Sequence, residues 1–166
     1  MQRVLEMAST TFSGPVTSTA GFISGADSMV SATGSTLTCT SESHAGRTVV
    51  LDRAAGIAVT LPAATGTGNM YRFFVTTTIT SNSTTIKVVG DDTMAGVAIV
   101  ANDGGASASI FETAATSDTI TFNGTTTGGI KGATVELQDV ASDLWSVQVV
   151  GAASGTEATP FSATVS

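Results

Sequence analysis

The chain has little of what enzymes, metal sites and nucleic-acid clefts are made from. Among its 166 residues there is one Cys, one His, one Trp and one Tyr, and only six are Lys or Arg. A single cysteine excludes an intrachain disulfide. Cys39 sits in TLTCTSES with no basic neighbour to activate a thiolate, so a buried or inert thiol is expected. His44, in SESHAG beside Glu42, lacks the ordered pocket and partner nucleophile that a general base needs, and an exposed loop position is expected. Charged residues make up 11%, against about 25% in ordinary soluble domains. The basic residues Arg3, Arg47, Arg53, Arg72, Lys87 and Lys131 are scattered, and the net charge is −7. That charge pattern argues against nucleic-acid partners, which need clustered cations, and against adhesion to an anionic membrane. No stretch approaches the ~18 consecutive apolar residues of a membrane helix, although mean hydropathy is +0.32. MQRVLEMASTTF lacks the apolar centre of a secretion signal, so cytoplasmic synthesis is expected.

Strand and turn formers fill the space left by charge. Ser and Thr together occupy about three positions in ten, and Thr suits a pleated surface because its branched Cβ stiffens χ1. Eighteen glycines supply turns. Candidate strands are 48–51, 57–61, 71–77, 84–89, 94–100, 108–113, 119–122, 132–140 and 144–150. They are separated by turn clusters such as Gly90-Asp91-Asp92, Asn102 to Gly105 and Asn123-Gly124. Regular short strands without a helix-length amphipathic run predict an all-β, antiparallel sandwich or barrel, jelly-roll-like in style. The firmest piece is a hairpin: Val135 and Leu137, then Trp145, Val147 and Val149, alternate with polar residues, and Asp139 to Asp143 brackets the loop. The expected organisation is an extended Ser/Thr/Gly-rich arm at 1–46, a β domain at 47–151 and a tail at 152–166. Phe12, Val16, Phe22, Ile23, Met29, Val30 and Leu37 punctuate the arm, which fits docking on another surface, although a disordered or locally packed leader has the same composition. Phe161 and Val165 fit either an edge strand or a fraying tail.

The remaining candidates for chemistry are thin. Asp91-Asp92 and Asp139 with Asp143 are possible carboxylate pairs for sugar hydrolysis, but both lie at turns, where Asp is favoured for backbone hydrogen bonding. Asp91, Asp92, Asn102 and Asp103 offer hard oxygens for calcium without EF-hand spacing. GTTTGGIKG at 124–132 has the glycines of a phosphate loop, but Ile130 and Gly132 break the required order around Lys131. No nucleophile elbow, HExxH, CxxC or dinucleotide fingerprint occurs. Neither an enzyme activity nor a resident metal or cofactor is expected.

The stretch 51–75, LDRAAGIAVTLPAATGTGNMYRFFV, is the most distinctive. It predicts strand, turn, strand, a flexible ATGTG connector and an aromatic strand, which reads as a hairpin scaffold. With FSGPVTSTAGF (12–22), GDDTMAG (90–96) and ATVELQDVASDLWSVQVV (133–150), it resembles the capsid decoration, or cement, proteins of tailed bacteriophages. Similar phage sequences open with a short leader that corresponds here to Met7, which marks 1–6 as an extension or an alternative start.

The resemblance implies a virion protein on the outer capsid surface, made in the host cytoplasm and commonly trimeric, that bridges capsomers. Its partners would be the major capsid protein and further copies of itself. Phe12, Pro15, Val16, Phe22 and Ile23 in the arm are the expected capsid or subunit contacts. A head-fibre or tail module that binds a receptor or glycan is the alternative, and it calls for exposed aromatics in loops.

Overall fold

A computed structural model describes residues 29–104 and 106–164. Twelve strands and one turn of helix make up this part of the chain: β1 (Met29–Ala32), β2 (Thr36–Thr38), α1 (Ser41–His44), β3 (Thr48–Leu51), β4 (Ala58–Thr60), β5 (Met70–Val75), β6 (Thr84–Lys87), β7 (Thr93–Ala101), β8 (Ala108–Glu112), β9 (Thr119–Phe122), β10 (Thr134–Ala141), β11 (Leu144–Ala152) and β12 (Phe161–Ser162). They form a seven-stranded sheet, β1-β3-β5-β10-β11-β7-β8, and a five-stranded sheet, β12-β9-β6-β4-β2. The described residues are nearly all-β, as the composition predicts.

The sheets are mixed, which corrects the antiparallel expectation. Strands β1 to β6 alternate between the two sheets. Within each sheet they run parallel: β1 to β3, β3 to β5, β2 to β4 and β4 to β6. Parallel neighbours need a crossover, and here the intervening strand in the opposite sheet supplies it. The stretch 51–75 is therefore not a hairpin: β3 and β5 are parallel neighbours in one sheet, and β4 lies in the other. Gly56 makes the turn into β4 possible. Its φ is +74°, and a Cβ there would lie 1.6 Å from the Asn82 carbonyl oxygen. The β10–β11 hairpin forms as expected, with Val135 opposite Val149 and Leu137 opposite Val147.

One row of each sheet runs through the centre of the shared core. Val49, Phe73, Val135, Val149 and Ala98 are successive partners across the seven-stranded sheet, and all are buried. Val59, Ile86, Ile120 and Phe161 do the same in the other. Trp145 and Tyr71 meet edge to face, with ring centroids 5.5 Å apart.

Strand pairing begins at Met29: β1 pairs with β3 and β2 with β4, so residues 29–32 and 36–38 are strands of the two sheets. The predicted contacts Phe12, Pro15, Val16, Phe22 and Ile23 lie outside the described residues. In the 152–166 segment, Phe161 pairs with Ile120 and is buried.

Candidate contact surface

The polar candidates turn out to serve the fold. Asp139 is buried, and its carboxylate accepts four hydrogen bonds from the 65–67 loop: from Thr65 N at 3.0 Å, Gly66 N at 2.6 Å, Thr67 N at 3.0 Å and Thr67 Oγ1 at 2.6 Å. Burial pushes its pKa up, but the hydrogen bonds outweigh burial and hold it below the ordinary carboxylate value. Asp92 is also buried. It accepts from Ala64 N at 2.7 Å and, at a longer 3.4 Å, from Trp145 Nε1. The ATGTG segment, expected as a flexible connector, is thus held by two buried carboxylates from distant strands or turns. Asp143 sits with φ +61° in the β10–β11 turn, and Asp91 is exposed beside Gly90.

His44 is buried at the end of α1, where its Nδ1 accepts from Thr40 N at 3.0 Å. This corrects the expected exposed loop position, because the histidine closes a capped turn. Cys39 is buried, and desolvation pushes its thiol up to about 12, matching the inert reading. In the glycine-rich turn, Asn123 Oδ1 accepts from the backbone N of Thr125, Thr126 and Thr127, which makes an Asx turn rather than a phosphate cradle. Among the described residues, no group of three or more His, Cys, Asp or Glu could hold a metal ion, and no helix is long and apolar enough to cross a membrane.

What the structure brings together is a surface. On the outer face of the seven-stranded sheet, one register row contains Val50, Phe74, Val150, Ile99 and Ile110, with Ser31 and Thr134 as its polar members. It crosses all seven strands without a charge. Val50, Phe74 and Ile99 are half-buried, while Val150 is 44% and Ile110 67% exposed. Met29, 62% exposed, extends the apolar area at the β1 edge. Val50, Phe74 and Met29 line an open groove of about 550 Å³, at whose rim Arg72 pairs with Glu136.

The outer face of the five-stranded sheet is chemically opposite. Its rows are Thr36, Ala58, Thr85 and Thr121, then Thr38, Thr60, Lys87, Thr119 and Ser162. These two rows carry six threonines and no large apolar residue, whereas the other outer face carries the row of apolar residues. A sequence signal for this existed. Val49-Val50, Phe73-Phe74, Ala98 to Val100, Ile110-Phe111 and Val149-Val150 are adjacent apolar residues, and adjacent strand residues face opposite sides. Comparison with protein-family models, curated proteins and solved structures finds no match.

Proposed function

We propose that this protein is a structural virion component that binds the outer surface of a bacteriophage capsid as a trimer and stabilises the shell by bridging capsomers. The observation that carries this reading is the uncharged apolar row across the outer face of the seven-stranded sheet, a surface suited to protein contact. The motifs at 12–22, 51–75, 90–96 and 133–150 support it through their resemblance to decoration proteins. The net charge of −7 suits an outward-facing protein that does not touch packaged nucleic acid.

In this reading the segment preceding Met29 reaches the capsid or a neighbouring subunit through Phe12, Pro15, Val16, Phe22 and Ile23. Each buried aromatic would add a few kcal/mol. A closed ring of such arms would multiply weak contacts into firm attachment. The glycan- or receptor-binding alternative is weaker, because the single Trp and single Tyr are both buried in the core and offer no stacking platform.

The test is co-sedimentation of the full chain with capsids assembled without it. Saturable binding at a fixed ratio to the major capsid protein, with rupture moved to higher temperature, is expected. A chain that stays in the supernatant while capsids rupture unchanged refutes the reading. Deleting residues 8–24 should abolish binding and leave the β domain folded, whereas retained occupancy would refute the arm's role.

A further inference from the structure

We propose that copies of this chain associate through the outer face of the seven-stranded sheet, with Val50, Phe74, Val150, Ile99 and Ile110 at the centre of the contact. The inference deepens the preceding reading, resting on it for an oligomer and adding the surface by which that oligomer forms.

Three observations select a second copy as the occupant. The first is extent. The row runs from Ser31 at the β1 edge to Ile110 at the β8 edge; Ile110 and Met29, which lies in the next row opposite Thr48, are the most exposed large apolar residues described. Seven strands at ~4.8 Å spacing, with three outward rows ~7 Å apart, present on the order of 700 Å². A standard protein interface takes about 800 Å² from each partner. A small ligand in the groove between Met29 and Phe74 would leave Ile99 and Ile110 uncovered.

The second observation is charge. Two copies of a chain carrying −7 repel one another, so they approach best where neither presents net charge. The central row has none; in the row beside it Arg72 pairs with Glu136, and Glu112 at the β8 edge is the one carboxylate left over. The third is asymmetry. The opposite face of the molecule carries Thr, Ser and Lys side chains and no large apolar residue, so the apolar face gains more by being covered.

The experiment is mass measurement of the full chain in solution by light scattering and sedimentation equilibrium across the micromolar range. The expected mass is a whole multiple of the 16.5 kDa protomer. The double variant Val150→Lys with Ile110→Lys places two ammonium groups in the row. It should raise the dissociation constant at least about a hundredfold and run as monomer. Near-UV circular dichroism from buried Trp145 should stay unchanged, which separates lost association from lost folding. Ile110→Lys alone, at an exposed edge position, should shift association in the same direction if the double variant unfolds. Thr36→Lys with Thr85→Lys, on the opposite face, should leave the mass unchanged.

A wild-type chain that is monomeric throughout, as when its own N-terminal segment covers the face, overturns the inference. So does a folded row variant that associates normally. Capsid binding is read separately. An oligomer that ignores capsids refutes the proposed function and leaves this interface standing, and a monomer that binds capsids refutes this interface and the trimer but leaves capsid binding standing.

Discussion

Replacing Asp139 with Ala should destabilise the protein by about 2–4 kcal/mol. The carboxylate accepts four hydrogen bonds, three of them from consecutive backbone N–H groups at Thr65, Gly66 and Thr67. Charge-assisted hydrogen bonds contribute roughly 1.5–3 kcal/mol each when measured singly. The four share one acceptor group and are not additive. The loop residues are also exposed, so freed N–H groups find water, and both effects hold the total well below the simple sum. At about 2–4 °C per kcal/mol for a chain of this size, the melting temperature should fall by roughly 5–15 °C. Thermal unfolding followed by circular dichroism reads this directly.

The pH dependence supplies a second readout. Asp139's folded pKa is depressed, so its stabilisation is fully present above the unfolded value of about 3.9 and is lost as pH falls through the folded value. The gap between wild type and Asp139→Ala should therefore be constant from neutral pH down to about pH 5 and shrink below about pH 4. Asp139→Asn keeps one acceptor oxygen but turns an amide N–H2 towards backbone donors, so its loss should approach that of Ala. A variant that melts within 2 °C of wild type at pH 7, by the same scale, would falsify the view that this carboxylate holds the 65–67 loop.

Other expectations follow from single contacts. Tyr71→Phe should leave stability within about 1 kcal/mol of wild type, because the Tyr71 hydroxyl is buried with no hydrogen-bond partner among the described residues; a larger loss in denaturant titration would show that the hydroxyl is satisfied. Gly56→Ala should cost about 2–4 kcal/mol, from the positive φ and the close Asn82 carbonyl together, and an unchanged urea midpoint would refute that close approach. Cys39 should resist a thiol reagent at pH 8 in the native protein and react at once in denaturant, since burial raises its pKa to about 12; fast native labelling would contradict this.

Legibility in the sequence depended on how local the cause was. Thr48–Leu51 and Thr119–Phe122 are strands at the predicted bounds because β-branched alternation and flanking turn residues act within a few positions. The β10–β11 hairpin was legible for the same reason, its two alternating strands lying either side of a short loop. Met29–Ala32 and Thr36–Thr38 were not, because as edge strands they carry few core residues, and their Ser, Thr and Gly neighbours have the composition of a leader. His44 was misplaced because nothing in SESHAG shows that Thr40 caps a helical turn and donates its backbone N–H to the imidazole.

The sequence by itself determined an all-β protein with little charge, an inert cysteine and a definite set of short strands. Those properties follow from composition and from alternation over a few residues. Only the tertiary structure decided that successive strands cross between sheets and lie parallel, since a turn signal marks where a strand ends and not which sheet the next one joins. It likewise decided that Asp92 and Asp139 clamp a loop far from them in sequence. And it alone gathered Val50, Phe74, Val150, Ile99 and Ile110 into one row, because neighbours in a sheet are set by register between strands that the chain visits out of order.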